Sequence, residues 1–406
     1  MPAGHHWRVH DHHHAGPAVE TDDVAASNPF IAYRDRLRSY RRWIDAGFVD
    51  DEWQRTVAHL DEALIRVGRT GFRPTPLIDS PKLAKLVGLP EGARLWVKDE
   101  THNVAGSHKA RHLFGLLLHR VVDERLGAHH HGDLAIASCG NAAIAAATIA
   151  NAAGLRLKVF IPTWTSAAIE TRLADLGADV LRCERRDGEL GDPAYLRFLE
   201  ALDAGDEAFS VQGTVAPEAL DGGRTIGWEI ADQLAEHTGT PARLDAVSLQ
   251  VGGGAFASSL LHGLDDAAAD GVLDRHPTVV AVQTEACAPL YRAWRSLNET
   301  SDPIAALGEP DVHMTPWEDV GESLASGILD DVTYDWTTIA GSMLRDGGDM
   351  VVADEDTVEL AHAAGRSTGI DVCGTGTAGL AGLMLRPDLV GPGSNVVVVF
   401  TGHRRD

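Results

Sequence analysis

One lysine stands at position 109 in the run VAGSHKAR (104–111), set among small residues and preceded by His108. Lysine is scarce in this chain. Of 35 Lys and Arg residues, lysine occupies only positions 82, 85, 98, 109 and 158. A guanidinium keeps its proton at any ordinary pH, whereas a desolvated lysine amine can lose its proton and attack a carbonyl to form a Schiff base. Lys109 is therefore the candidate nucleophile.

Three further stretches place polar or conformationally free residues at corners. LQVGGGAFASSL (249–260) puts Gly252, Gly253 and Gly254 after an apolar strand and before Ala255 and Phe256, the start of an expected helix. Successive backbone N–H groups and a helix N-terminus suit a phosphate there, although a plain tight turn also accounts for glycine at such a corner. ASCGNAAIAAA (137–147) makes a second corner with Ser138, Cys139, Gly140, Asn141 and Ala142. Its N–H groups suit a carboxylate, and Ser138 or Asn141 could equally cap the helix, which is the commoner use of such residues. Cys139 lacks the surroundings of a Cys/His protease nucleophile. FTGHRRD (400–406) follows the strand NVVVVF, so Thr401 stands at a strand's carboxyl end, where open α/β sheets collect ligands.

Positioning these residues takes alternating strands and helices. RLWVKDE, LAIAS, LKVFIP, ADVLRC, LDAVSLQ, TVVAVQTE and NVVVVF read as strands. HKARHLFGLLLHRVVDERLG, AAIAAATIANAAG, SAAIETRLADLG and EDTVELAHAAGRSTG read as helices. Continuous apolar strands between helices predict parallel sheets covered on both faces. Ahead of them, FIAYRDRLRSYRRWIDAG and DDEWQRTVAHLDEALIRVG are expected as two helices, each stopped at glycine. RPTPLIDSP then breaks the pattern, and the first thirty or so residues are expected to form an arm.

Composition narrows the setting. The chain has 406 residues with 44% hydrophobic content, enough for two lobes, and a formal charge of −24 that disfavours nucleic acid. Four scattered cysteines suggest a reducing, cytoplasmic compartment. The alanine-rich stretch 134–154 is interrupted by Ser138, Asn141 and Asn151, so a membrane span is not expected. The histidine runs at 10–14 and 129–131 lack the spacing of built metal sites, and no metal is assigned.

Taken together and in this order, the stretches resemble the fold-type II pyridoxal-phosphate enzymes, the family of threonine and serine dehydratases, threonine synthase, cysteine synthase and the tryptophan synthase β chain. The likeness runs from about residue 72 to 404. KDETHNVAGSHKAR is similar to the family's lysine motif, SCGN to its substrate-carboxylate loop, GGGAF to its phosphate cradle and TGH to its pyridine-facing segment. The resemblance implies pyridoxal 5'-phosphate bound to Lys109, with His108 approaching the phosphate and Gly252, Gly253, Gly254, Ala255 and Phe256 cradling it. It implies that Asn141 meets the cofactor's 3-oxygen, that Ser138, Cys139, Gly140, Asn141 and Ala142 grip the substrate, and that Thr401 faces the ring nitrogen. It also implies an α/β fold of two lobes, each with a mainly parallel sheet covered by helices. An arm and helices would span 1–70, a large cofactor-binding domain 71–132 and 212–406, and a small mobile domain 133–211 would close on substrate. A homodimer follows from the same likeness.

In the mechanism so implied, an amino acid displaces Lys109, whose freed amine removes the α-proton. A hydroxyl rather than a carboxylate at the ring nitrogen goes with loss of a β-substituent. Individual motifs are mixed. His108 is like the tryptophan synthase β chain and the three glycines are like dehydratases, whereas VQTEACAPLYRAW (282–294) and TGH are more like threonine synthase, and Ala110 stands where that enzyme carries Asp. The expectation is a lyase of the ammonia-lyase or dehydratase type, acting by β-elimination on a β-hydroxy or β-substituted amino acid. A β- or γ-replacement synthase is the runner-up, and a non-catalytic homologue that binds cofactor or amino acid is the third reading. Cys139 replaces the hydroxyl of the SSGN and STGN loop forms. It is either a proton donor on the far face of the cofactor or a small apolar filler.

Overall fold

The computed structural model of the chain describes residues 28–405. The histidine run at 10–14 and most of the expected arm lie outside the described residues. Ten strands form among them: β1 (Leu77–Asp79), β2 (Arg94–Asp99), β3 (Leu134–Ala137), β4 (Leu157–Pro162), β5 (Asp179–Cys183), β6 (Glu207–Ala208), β7 (Ala246–Gln250), β8 (Thr278–Thr284), β9 (Asp349–Ala353) and β10 (Asn395–Phe400). They build two sheets. The larger runs β1-β2-β10-β7-β8-β9 and is parallel except for its edge strand β1; the smaller runs β5-β4-β3-β6 and is parallel throughout. The fold is α/β, with helices covering parallel sheets.

The apolar strands are continuous because both faces are buried. In β10, Val397 and Val399 pack into a layer with Ile226, Leu260 and Trp336, whereas Val396, Val398 and Phe400 pack into the opposite layer with Val358, Leu380 and Leu383. Alternate residues thus serve alternate layers, as the two-residue period of a strand requires. The β3–β6 sheet shares a core with the N-terminal helices: Trp43, Trp53 and Leu64 pack in one cluster with Ile136, Ile144 and Val159. The helix Lys109–Arg125, which a boundary at residue 132 would assign to the larger sheet's lobe, buries Leu113, Phe114, Leu117 and Leu118 in this same cluster.

Several elements differ from expectation. The first predicted helix is broken into Pro29–Ala32, a 3-10 turn at Arg34–Arg36 and Arg38–Asp45. Leu37 is fully buried in extended backbone at the break. The second runs Asp50–Gly68 as expected, but the residue that turns left-handed to end it is Arg69 (φ 64), not a glycine. RPTPLIDSP contributes β1, whose antiparallel edge position tolerates the flanking prolines. Strands β6 and β9 had no assignment from sequence, being short or isolated among polar residues.

Candidate active site

Lys109 opens its helix at the carboxyl end of the larger sheet, and the contacts around it come from four separate parts of the chain. His108 donates its backbone N–H (3.1 Å) and presents its Nδ1 (3.0 Å) to the Thr401 carbonyl just beyond β10. Its ring lies 4.6 Å from that of Phe256, which closes the glycine corner. A Cβ on Gly402 would fall 2.8 Å from Asn141 Nδ2, so the Asn141 amide lies directly over the chain beside Thr401. The structure thereby brings together Lys109, His108, Asn141, Thr401 and the loop 252–256. Ser138, Cys139 and Gly140 precede Asn141 at the end of β3 and are half-buried.

Electrostatics support a reactive amine. Burial pushes the Lys109 pKa below its ordinary value, and the carboxyls of Asp330 and Asp335 pull it back up. Burial raises the carboxyls in turn, Asp335 to about 6. His108 and His112 are held neutral by burial and by Lys109, His112 with a pKa near 3. Burial also raises the Cys139 thiol, which therefore stays protonated at neutral pH.

Do these residues fit a phosphate-bearing cofactor with a pyridine ring? At the glycine corner, a Cβ on Gly252 would meet Asp330 Oδ2 at 2.3 Å, one on Gly253 would meet Tyr334 Cδ2 at 3.2 Å, and Gly254 adopts φ +95. Gly252, which would meet the Ile328 backbone at 2.9 Å, and Gly254, with its positive φ, are both required, so the plain single-glycine turn does not account for the loop. The Gly253 N–H already donates to Asp330 Oδ2 at 2.7 Å, so this donor takes a carboxyl oxygen. Neither the helix Ala255–Ala269 nor the helix Asn141–Ala152 has a side-chain cap. Ser138 Oγ instead accepts from Gly140 N–H (3.4 Å), which sets aside the capping alternative and leaves the first N–H groups of both helices for ligands. Buried His108 Nε2 has no partner. Thr401 accepts a hydrogen bond from Gln250, and nothing among the described residues accepts its proton. The set suits a phosphate at the glycine corner and a hydrogen-bond acceptor beside Thr401.

Sequence reasoning missed Gln250, Asp330, Tyr334, Asp335 and Arg405. Arg405 donates its Nε to Asn141 Oδ1 at 2.5 Å, and the segment 328–335 lies over the glycine corner. Gln250 and Arg405 lie inside the quoted stretches LQVGGGAFASSL and FTGHRRD without having been singled out, whereas Asp330, Tyr334 and Asp335 are marked only by spatial proximity.

A buried lysine amine near a glycine corner and a hydroxyl whose proton has no acceptor among the described residues suits a carbonyl cofactor that bears a phosphate. The chain belongs to the pyridoxal-phosphate dependent enzymes, whose family pattern it matches over residues 69–402. It is 28% identical over 376 residues to threonine synthase of Mycobacterium leprae, a match covering 92% of this chain and 86% of that one. It is 31% identical over 220 residues to a mouse serine dehydratase-like protein, covering 54% of this chain and 59% of the other. Maize serine racemase superposes with a TM-score of 0.62 at 16% identity, covering 86% of this chain and 94% of that one.

Proposed function

We propose that this pyridoxal-phosphate dependent enzyme is a lyase that eliminates the β-substituent of a β-hydroxy or similarly substituted amino acid. When bound, the cofactor supplies an electron sink for the substrate's α-carbon. The chain's own residues do the rest. The Lys109 amine, lowered by burial, holds the cofactor and then takes the α-proton at its Nζ. The uncapped N-terminus of Asn141–Ala152 receives the substrate carboxylate, with Ser138 to Ala142 around it.

The observation that carries the elimination reading is the pair Asp330 and Asp335, carboxyls of raised pKa whose charges act directly on Lys109. A carboxyl of raised pKa beside the base can take up a proton and pass it to a departing hydroxyl, and one that stays ionised repels an anionic leaving group. Asp192 and Asp331 strengthen that bias, since their charges act on Cys139 and Tyr334 respectively.

A replacement synthase is the second reading, favoured by the match to threonine synthases along 92% of the chain. Incubating the enzyme with a panel of amino acids, with and without an added nucleophile, separates the two. Keto acid and ammonia without nucleophile support the lyase, and a new amino acid formed only with nucleophile supports the synthase. A visible spectrum that no amino acid perturbs would indicate a binding protein instead. The reading includes a cytoplasmic homodimer whose 133–211 segment closes on substrate; the four unpaired cysteines accord with a reducing compartment. No helix among the described residues is long and apolar enough to cross a membrane.

A further inference from the structure

Gln250 ends β7, two residues before the glycine corner, and is 3% exposed. Its Nε2 lies 3.1 Å from the Thr375 carbonyl, 3.3 Å from those of Gly376 and Val399, and 3.0 Å from Thr401 Oγ1. Four oxygens around one end of an amide identify that end as nitrogen, because an oxygen placed there would face only other acceptors. Its Oε1 is buried without a partner, so the demand for a donor on the Nε2 side sets the orientation.

Three of those four oxygens are carbonyls and can only accept. The Thr401 hydroxyl, which is 3% exposed, can accept and donate at once. Once Gln250 occupies one of its lone pairs, its proton is free to point away, and no described residue takes it. The bond therefore runs in one direction, from amide to hydroxyl, and leaves the hydroxyl proton for a bound acceptor.

We propose that Gln250 is a positioning residue that fixes the Thr401 hydroxyl as a donor to the cofactor's pyridine nitrogen and so keeps that nitrogen unprotonated. The proposal rests on the reading that Thr401 faces the ring nitrogen. An unprotonated ring withdraws electrons less strongly than a pyridinium. Gln250 thereby acts on the choice of reaction without touching substrate, favouring departure of a β-substituent over chemistry that needs a long-lived carbanion.

The test uses holoenzyme loaded with cofactor carrying 15N at the ring nitrogen, whose chemical shift reads protonation directly. Wild type should give the unprotonated position. In Gln250→Met the three carbonyls lose their donor, the Thr401 hydroxyl turns to one of them, and its lone pair meets the ring nitrogen. The resonance should then move toward the protonated position while the cofactor stays bound. If Gln250→Met does not fold, Gln250→Asn, which draws the donor back by one methylene, should give the same movement. Thr401→Val, lacking the hydroxyl, should also shift the resonance. A wild-type resonance at the protonated position would overturn the proposal, as would a glutamine variant with the wild-type shift while Thr401→Val moves. An unmoved resonance in Thr401→Val would show instead that Thr401 does not face the nitrogen, and the proposal would fall with that reading.

Discussion

Lys109 and His112 lie one helical turn apart, and burial depresses the pKa of both, with different consequences. On the proposed reading, the lowered pKa of Lys109 serves reactivity. Lys109→Ala should fold, retain cofactor only non-covalently and lose nearly all turnover; borohydride reduction followed by peptide mapping should label position 109 in wild type and nothing in the variant. His112 is fully buried with Nδ1 against the Ala219 carbonyl at 3.2 Å and Nε2 unpartnered, so a proton has no place in the folded state. The unfolded chain takes up that proton below about pH 6.5, whereas the folded one resists to about 3. Stability linked to His112 is thus fully present above pH 6.5 and lost as pH falls, by about 1.4 kcal/mol per unit. Urea unfolding at pH 6.5 and 5 should show wild type losing roughly 2 kcal/mol more than His112→Gln. At this scale the sequence was legible where scarcity or a motif singled out a residue, as with Lys109, Asn141 and Thr401. Asp330 and Asp335 were not, because a carboxyl some 220 residues downstream becomes a partner of Lys109 only through folding, and Gln250 was passed over inside the glycine stretch because its partner Thr401 is remote in sequence.

Two glycine-containing corners meet at the site, and each feeds a helix without a side-chain cap. Leaving the first N–H groups unsatisfied costs helix stability, on the order of 1 kcal/mol per missing cap, and that cost is offset when an anion binds. Gly253→Asp would add a second carboxylate beside Asp330 and against Tyr334. Cofactor affinity, measured by titration of its visible absorption, should fall by at least about a hundredfold, consistent with roughly 3 kcal/mol for like charges at close range. Strand positions were legible because a parallel strand buried on both faces must be apolar throughout, as Val396 to Phe400 are. The antiparallel edge β1 was missed since an edge needs neither continuous burial nor a proline-free neighbourhood. The first helix was misread as one piece because its apolar spacing continues across buried Leu37, where the backbone is extended. At the Ser138–Asn141 corner, capping and carboxylate binding draw on the same residues, and the observed bond from Gly140 N–H to Ser138 Oγ speaks against capping alone.

At the level of the whole molecule, the N-terminal helices are structural parts of the lobe built on β3–β6. Trp53 is 1% exposed, donates its Nε1 to the Phe30 carbonyl and lies in the cluster that holds Phe114. Trp53→Ala should cost about 3 to 5 kcal/mol in chemical denaturation. Because Phe114 lies on the helix that Lys109 begins, cofactor retention should weaken in the same variant although no residue touching the site has changed.

The larger sheet is completed out of chain order. β10 lies between β2 and β7, so the pair β1-β2 and the trio β7-β8-β9 share no hydrogen bond without it. During synthesis the ribosome releases β10 after the other nine strands, and Thr401 immediately after β10. The β3–β6 sheet can assemble while translation continues, whereas the larger sheet waits with two open edges that invite wrong pairing. A nascent chain stopped short of β10 cannot join those halves or present Thr401, so on the proposed reading such a chain should fail to retain cofactor.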